Sequence, residues 1–308
     1  MNRVLITGGA GFIGSHCVDL FLSRGWEVGV FDLKAKEEAV NVTHTLDSIM
    51  YIQGDIRVRT QLDAIMGDYT HVLHLAADVS VQHSIENPIE THNTNVTGTL
   101  NVLHSAQCHA VKHIVYASSA AVYGNTDIIP TPETIKCIPT SPYGLHKKIN
   151  EEYAELFFKQ FGLMSTGVRF FNVYGSRQDP SSPYSGVISI FHKCMKEGRP
   201  PTVYGDGTAT RDFIHVYDVA NACLSILEST DRKSAIYNIG TGIPISLNEL
   251  IQELYRVLKV QLTPVYSEER EGDIMHSCSD SSLIMSELDF CITKTLTQGL
   301  EEMLENED

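Results

Sequence analysis

A tyrosine and a lysine four residues apart could carry out proton transfer in this chain. They are Tyr143 and Lys147, within the segment SPYGLHK that begins at Ser141. Residues with this spacing share one face of a helix, and we expect the helix to begin just after Pro142. A fixed lysine cation favours a phenolate, so Tyr143 is a candidate general base.

The spacing alone is common on amphipathic helices, and the chain has a second example in Tyr255 and Lys259. Tyr143 differs because the polar end of a predicted parallel strand, YASS at 116–119, precedes it in the chain. Sites in doubly wound sheets form at the carboxyl ends of parallel strands. We therefore interpret Tyr143 and Lys147 as functional and the later pair as structural.

A glycine-rich turn follows the first predicted strand. Its sequence is TGGAGFIG, residues 7–14, and it leads into an amphipathic stretch that ends at Arg24, before Gly25. Glycines permit a tight turn and the close approach of a pyrophosphate, and the following helix N-terminus attracts its charge. The candidate cofactor-binding residues of this turn are Gly8, Gly11, Phe12, Ile13 and Gly14.

The second predicted strand ends at Asp32, near the offset at which an acidic side chain binds the adenosine ribose of a dinucleotide. A carboxylate there accepts hydrogen bonds from the ribose hydroxyls and repels a 2′-phosphate. Asp32 therefore favours NAD over NADP, although Lys34 and Lys36 lie close by.

Elements that could position these residues alternate through the first two-thirds of the chain. Short β-branched segments near residues 4, 26, 51, 71, 113 and 165 are separated by amphipathic stretches. This predicts an α/β fold of the Rossmann type, with a doubly wound parallel sheet. We expect a dinucleotide-binding domain over residues 1–171, with strands added by later segments, and a smaller C-terminal substrate-binding lobe over residues 172–308.

Composition excludes several classes of protein. The 38 acids and 23 bases among 308 residues give a formal charge of −15, which argues against a nucleic-acid partner. An anionic ligand would need a local basic pocket. The seven cysteines form no C-x-x-C pair, so we expect no metal site and predict mostly buried thiols in a cytoplasmic protein. No apolar stretch is long enough for a membrane span, and we expect no secretion signal.

Eight segments, in order along nearly the whole chain, resemble the extended short-chain dehydrogenase/reductase family. They are TGGAGFIG at 7, GDI at 54, LAA at 75, ASSAAVYG at 117, SPYGLHK at 141, RFFNVYG at 169, YGDGTATRDFIHVYDVA at 204 and REGDIMHS at 270. Within that family the chain is most similar to the NAD-dependent UDP-glucose 4-epimerases and their relatives that act on UDP-N-acetylhexosamines. The resemblance implies NAD as cofactor and a UDP-sugar as substrate.

Carried over position by position, the resemblance implies three groups of site residues. The catalytic group would be Ser119, Tyr143 and Lys147, with Ser119 between the sugar hydroxyl and the phenol. Further NAD contacts would come from Asp55, Ile56, Leu75, Ala76, Ala77, Asn95 and Ser118. The UDP-sugar would be bound by Ser80, Ser119, Asn172, Gly186, Val187, Tyr204, Arg211, Arg270, Asp273 and Ser277.

The residues after Ser119 bear on the reaction. Dehydratase relatives carry an Asp-Glu pair there, because removing the C5 proton requires an additional acid or base, whereas this chain has Ala120 and Ala121. The implied activity is inversion of the C4 hydroxyl through a transient 4-keto sugar. Other nucleotide-sugar epimerases, dehydratases or reductases, and a catalytically silent NAD-binding regulator, are the alternatives.

Two further expectations concern specificity and assembly. A tyrosine at the position of Ser277 confines relatives to UDP-glucose and UDP-galactose, whereas a small residue leaves space for an N-acetyl group, unless loops around Ser80 or Gln178 close the pocket. Long amphipathic stretches at 94–110 and 143–161 match the helices that relatives pair in a four-helix interface, so we expect a homodimer.

Overall fold

The computed structural model describes residues 2–179, 186–230, 234–269 and 274–305. Its strands are, in chain order, β1 (Arg3–Thr7), β2 (Glu27–Asp32), β3 (Met50–Gln53), β4 (His71–His74), β5 (His113–Ser119), β6 (Ser165–Phe170), β7 (Asn172–Tyr174), β8 (Thr202–Tyr204), β9 (Thr210–His215), β10 (Ala235–Ile239), β11 (Pro244–Ser246) and β12 (Val265–Ser267).

The α-helices alternate with these strands. They are α1 (Phe12–Ser23), α2 (Arg59–Met66), α3 (Val81–Glu86), α4 (Pro88–His92), α5 (Gly98–Cys108), α6 (Pro142–Phe161), α7 (Val187–Lys196), α8 (Val216–Glu228), α9 (Leu247–Leu258), α10 (Ser282–Glu287) and α11 (Leu296–Glu305). Short 3₁₀ turns lie at Lys36–Glu38, Val40–Thr45 and Ala120–Val122, and a π-helical turn at Asn93–Thr97 joins α4 to α5.

A seven-stranded sheet forms the centre of the molecule, in the order β3-β2-β1-β4-β5-β6-β10. Every neighbouring pair in it is parallel. The order reverses between β1 and β4, where a doubly wound sheet opens a crevice at the carboxyl ends of its strands. The predicted Rossmann-type fold is confirmed, and β10, which lies far along the chain, completes its edge.

Apolar packing explains why both faces of the sheet are covered. One cluster places Phe21 of α1 and Leu224 of α8 against the strands. The cluster on the opposite face contains Leu62 of α2, Leu103 of α5 and Phe157 of α6. A parallel sheet needs helices packed on both faces, because the side chains on both of its faces are buried.

A second, smaller body of structure follows β6. It has a three-stranded sheet, β11-β9-β7, and a two-stranded sheet, β12-β8. Its apolar cluster includes Phe191 of α7, Leu250 and Tyr255 of α9, and Met303 of α11. Because β7 follows β6 after one residue, this body lies directly beside the carboxyl end of the large sheet.

The bounds of α1 and α6 agree with the sequence prediction to within one residue. Helix α1 runs as predicted, and Gly25 after it has φ +74°, in the left-handed region that glycine tolerates. Helix α6 begins at Pro142 itself rather than after it, because proline fits the first helical position behind the cap Ser141.

Thiol burial was predicted less well. All seven cysteines are free, but only Cys17, Cys223 and Cys278 are buried, while Cys108 and Cys291 are exposed. The prediction of mostly buried thiols is therefore wrong. Within the described residues, no helix is long and apolar enough to cross a membrane.

Candidate active site

The end of β5 and the first turns of α6 bring the predicted catalytic group together. Ser119 ends β5 and Tyr143 lies in the first turn of α6, with the Ser119 hydroxyl close enough to the Tyr143 phenol to lower its pKa. The Lys147 ammonium lies 5.8 Å from the centre of the Tyr143 ring and donates to the carbonyl oxygen of Ala117 at 2.7 Å. Tyr143 and Lys147 are both buried. Phenol, hydroxyl and ammonium therefore occupy one small, largely dry volume.

Sequence features at the start of α6 hold it against β5. Ser141 caps the helix, and its hydroxyl accepts a hydrogen bond from the Gly144 amide at 3.1 Å. A Cβ atom on Gly144 would lie 2.5 Å from the carbonyl oxygen of Ala121, so a side chain there would displace the helix. The Tyr143 amide donates to the Ser84 hydroxyl at 3.1 Å. Tyr143 is thus fixed by its backbone as well as by its ring.

Burial dominates the electrostatics of these groups. It raises the pKa of Tyr143 to about 12, although the hydrogen bond from Ser119 lowers it, and Asp78 raises it further. Burial also lowers the pKa of Lys147 to about 8, against the influence of Glu151. Lys147 alone does not bring the pKa of the Tyr143 phenol below its ordinary value, because the effect of burial outweighs a cation whose ammonium binds the Ala117 carbonyl.

The glycine turn forms a cradle at the start of α1. A Cβ atom on Gly14 would lie 2.3 Å from the carbonyl oxygen of Gly8, so the turn closes only with glycine. Gly11 caps the helix without a side-chain hydrogen bond, and Phe12 and Ile13 form the first turn, whose amides face outward. A diphosphate fits such a helix N-terminus.

Asp32 ends β2 beside this cradle and is buried. Its two oxygens accept hydrogen bonds from the amides of Ala10 at 2.9 Å and Lys34 at 3.1 Å. Each carboxylate oxygen can accept a second bond, so the residue both closes the turn and fits the ribose hydroxyls of NAD.

The segment after β4 forms the other wall of the cradle. Leu75, Ala76 and Ala77 lie there, and the Ala76 amide nitrogen is so near the turn that a Cβ atom on Gly8 would come within 2.7 Å of it. Asn95 holds the segment: its side chain accepts from the Asp78 amide and donates to the Asp78 carbonyl, both at 2.8 Å. Its polar atoms are thus bound to the protein backbone.

Other predicted residues near the cradle are also bound within the chain. Asp55 is paired with Arg57 at 2.6 Å, and Ile56 packs against Gly98. The Ser80 hydroxyl caps α3 by accepting from the His83 amide at 2.8 Å, and the Ser118 hydroxyl donates to Glu151 at 2.6 Å.

Several of the predicted substrate residues lie on the smaller body. Arg211 of β9 donates to the carbonyl oxygen of Thr210 at 2.9 Å, and the Ser277 amide donates to the same oxygen at 3.1 Å. Tyr204 lines a cavity with Met275 and Ile274. The structure therefore brings Tyr204, Arg211 and Ser277 to one region.

Three further predicted substrate residues follow β6, and two fall outside the described residues. Asn172 begins β7 and is in register with Phe213 of β9. Gly186 and Val187 begin α7, where Ser189 is hydrogen-bonded to Gln178. Arg270 and Asp273 lie outside the described residues.

Comparison with known proteins identifies the family. Residues 4–240 match the model of the NAD dependent epimerase/dehydratase family. The chain belongs to this family. The resemblance read from the sequence is confirmed, and so is NAD as the cofactor of the family.

Named relatives are similar over most of their length. A putative UDP-glucose 4-epimerase of Methanocaldococcus jannaschii is 38% identical over 273 residues, which are 88% of this chain and 87% of the relative. The structure of a UDP-glucose 4-epimerase from Thermotoga maritima with UDP-glucose has a TM-score of 0.93 at 34% identity, covering 98% of this chain and 97% of that one.

A third protein of similar fold is a UDP-N-acetylglucosamine 4-epimerase from Methanobrevibacter ruminantium, solved with UDP-N-acetylmuramic acid. Its TM-score is 0.94 at 32% identity, and the match covers 99% of this chain and 97% of that one. In the present chain, the residues that the structure describes include no group of three or more His, Cys, Asp or Glu that could hold a metal ion.

The second tyrosine-lysine pair, Tyr255 and Lys259, lies at the end of α9 in the smaller body, not beside the polar end of β5. The Tyr255 hydroxyl is hydrogen-bonded to the carbonyl oxygen of Leu262. Lys259 is the residue after α9 and adopts φ +54°, outside the helix. The pair thus packs and caps α9, in agreement with its structural interpretation.

Sequence reasoning missed Ser84, Glu151 and Arg169 behind the catalytic group. Glu151 follows Lys147 by four residues, and Arg169 is a charged residue within a strand whose residues are all buried. A charged residue inside a buried strand needs a partner, which was a usable signal.

A buried histidine also joins the two walls of the cradle. One ring nitrogen of His74 is hydrogen-bonded to the Thr7 hydroxyl at 2.7 Å and the other to the Thr99 hydroxyl at 2.9 Å. Burial lowers the pKa of His74 to about 3. The ring is therefore neutral near pH 7 and links β1, β4 and α5.

The depressed pKa of His74 predicts how the free energy of unfolding depends on pH. Because its folded pKa is depressed, its contribution is complete above its unfolded pKa of 6.5 and is lost as pH falls toward 3. His74→Gln cannot titrate at this position, so its free energy of unfolding should fall less on acidification than that of the wild type. Urea unfolding should give a difference between the two slopes of about 1.4 kcal/mol per pH unit between about pH 6 and pH 4.5. Parallel pH curves for the two proteins would contradict this assignment.

Proposed function

We propose that the chain is an NAD-dependent 4-epimerase of a UDP-hexose, interconverting UDP-glucose and UDP-galactose through a transient 4-keto sugar. The observation that carries this proposal is the meeting of Ser119, Tyr143 and Lys147 at the end of β5, with Ala120 and Ala121 next to them. The similarity to named UDP-sugar 4-epimerases supports it.

The cofactor would lie along the crevice at the carboxyl ends of β1, β2 and β4. The first turn of α1 would hold its diphosphate, Asp32 its adenosine ribose, and the segment Leu75–Ala77 the opposite wall. Tyr143 and Lys147 would face its reactive end. Bound NAD supplies the oxidant that makes the C4 carbonyl and the reductant that removes it.

The proton chemistry belongs to the side chains. Tyr143, as phenolate, accepts the proton of the sugar 4-hydroxyl, with Ser119 hydrogen-bonded between the two groups. The Lys147 ammonium stabilises the phenolate by its charge. Since Ala120 and Ala121 carry no acid or base, the sugar keeps its C5 proton, and the 4-keto sugar can only be reduced again.

Inversion requires that the nucleotide is held while the sugar turns. Arg211 would pair with the diphosphate, Tyr204 would lie against the uracil, and Asn172, with Gly186 and Val187, would border the sugar. Guanidinium groups suit phosphate oxygens, and a chain with a formal charge of −15 must supply such charge locally. Arg270 and Asp273 belong to the same proposal.

Replacement of Tyr143 tests the assignment of the base. Tyr143→Phe removes the proton acceptor without a large change in volume, so folding and NAD binding should persist while turnover falls by at least about a hundredfold. Conversion of UDP-galactose to UDP-glucose measures the effect.

Tyr255→Phe is the matched control, because this tyrosine is also followed by a lysine four residues later, and it should change turnover little. Near-wild-type turnover of Tyr143→Phe would exclude the assignment. Net accumulation of NADH by the wild type would indicate a reductase or dehydrogenase, and absence of any conversion would favour a silent NAD-binding regulator.

Ser277 is proposed to set the width of the sugar pocket. It lies beside Thr210 and Arg211, on the wall that faces the hexose in this proposal. A serine leaves space for an N-acetyl group, whereas a tyrosine would fill it. One relative of similar fold acts, by its name, on UDP-N-acetylglucosamine.

We therefore expect the wild type to epimerise UDP-N-acetylglucosamine as well as UDP-glucose. Ser277→Tyr should remove the first activity selectively, by steric exclusion, and product analysis with both substrates measures this. Equal loss of both activities, or a wild type that accepts only the non-acetylated pair, would place the pocket wall elsewhere, for instance near Ser80 or Gln178.

A homodimer through α5 and α6 is a further part of the proposal. Leu145, Ile149 and Leu156 follow one another at helical spacing on α6, and Leu145 and Leu156 are each 47% exposed. An apolar stripe on an exposed helix face is typical of a helix–helix interface. The free thiols of the cysteines fit a cytoplasmic location, which we also propose.

Light scattering at micromolar concentration should give twice the 34.2 kDa mass of the chain. Leu156→Glu would bury a charge in the interface and should yield the monomer. A monomeric wild type would refute the proposed assembly.

A further inference from the structure

Behind the catalytic group lies a row of buried polar side chains, one on each of three neighbouring strands. Ser118, Arg169 and Asn238 are register partners across β5, β6 and β10. None of the three is more than 4% exposed. Polar groups are costly to bury inside a sheet unless they are hydrogen-bonded, so the row requires partners.

Arg169 is paired with Glu151 of α6 in a two-pronged contact. Its Nε donates to Oε1 of the carboxylate at 2.8 Å and its Nη2 donates to Oε2 at 2.7 Å. The Ser118 hydroxyl donates to the same Oε1 at 2.6 Å. Both charged side chains are at most 7% exposed, and this fork geometry fixes their positions.

The remaining nitrogen of Arg169 connects to β10 and to the segment after Ser277. Its Nη1 donates to the Tyr123 hydroxyl at 2.9 Å, and that hydroxyl donates to the Asn238 side chain at 2.6 Å. Asn238 in turn donates to the carbonyl oxygen of Asp280 at 3.0 Å. The row thus extends from α6 to the segment that carries Ser277.

Glu151 also lies one helical turn after Lys147 on the same face of α6. The Lys147 ammonium binds the carbonyl of Ala117, and the Glu151 carboxylate binds the hydroxyl of Ser118. Two consecutive residues of β5 are therefore attached to two consecutive turns of α6, immediately before Ser119. A shift of either contact would move the catalytic hydroxyl.

We propose that Glu151, held by Arg169, is a positioning residue for the proton transfer. Its carboxylate fixes the end of β5 through Ser118, and it supplies the negative charge that balances the Lys147 ammonium. This inference rests on the proposed function and adds to it a residue that touches none of the reacting atoms.

The charges around Lys147 determine the expected effect. Burial lowers the pKa of Lys147 to about 8, and Glu151 opposes that shift. His74 on β4 and Tyr143 on α6 face the ammonium as neutral groups, since their pKa values are about 3 and about 12. Burial also lowers the pKa of His146. Loss of the Glu151 carboxylate would therefore lower the pKa of Lys147, so the ammonium would lose its proton at lower pH.

The decisive variant replaces both members of the pair, Glu151→Gln with Arg169→Met, because a single replacement would strand a buried charge. We expect the folded, NAD-containing double variant to lose about tenfold or more in kcat with KM changed less than about twofold. The alkaline limb of its kcat profile, where the Lys147 ammonium loses its proton, should move down by up to about one pH unit, because Glu151 rather than Arg169 is the charge that acts on the pKa of Lys147.

A matched control lies on the same helix. Glu155 and Lys159 form an exposed ion pair with the same four-residue spacing as Lys147 and Glu151. Glu155→Gln should therefore keep the wild-type kcat and pH profile. The conservative variant Glu151→Asp, with Arg169 present, should keep the alkaline limb near its wild-type position. A purely structural pair would lower the melting temperature of the double variant without moving that limb.

Wild-type kcat and an unmoved alkaline limb in the folded double variant would overturn the proposal. If that variant does not fold, Ser118→Ala decides, since it removes one hydroxyl from Glu151: we expect kcat to fall severalfold, and an unchanged kcat overturns the proposal. Should the wild type convert no UDP-hexose, the proposed function fails separately. The Lys147 ammonium can then be titrated by NMR, and equal midpoints in wild type and variant would reject the inference.

Discussion

The hydrogen bond from the Lys147 ammonium to the carbonyl of Ala117, 2.7 Å long, is the contact on which the site depends. A cation buried at the end of a strand is tolerated only if its protons are accepted and its charge is balanced nearby. This requirement fixes the approach of α6 to β5. The capping hydroxyl of Ser141 and the close passage of Gly144 over Ala121 then follow as conditions for that approach.

Topology provides the second half of the site. The strand order reverses between β1 and β4, so the glycine turn after β1 and the segment after β4 open toward the same crevice. His74 joins these two walls through Thr7 and Thr99, and burial keeps its ring neutral near pH 7. The cradle is therefore stiffened by a side chain that itself contacts neither the turn amides nor the catalytic tyrosine.

Much of this arrangement followed from the sequence. Strand periodicity and the glycine turn predicted the fold, and the setting of Tyr143 after a polar strand end separated it from Tyr255. Local patterns could not reveal pairings between distant strands, such as Ser118 with Arg169, because register depends on the assembled sheet. Nor could they show that the Asn95 and Ser80 side chains are occupied by the protein's own backbone.

Charge at the site was the least predictable property, because burial decides it. The chain's own groups hold the pKa of Tyr143 at about 12 and that of Lys147 at about 8, so the phenol keeps its proton more firmly than the ammonium does. A base with such a pKa needs further positive charge close to its oxygen before it ionises near neutral pH. Oxidised nicotinamide carries that charge. In the proposed function, proton removal by Tyr143 would therefore depend on the oxidised cofactor, because the chain's own groups leave the phenol neutral near pH 7.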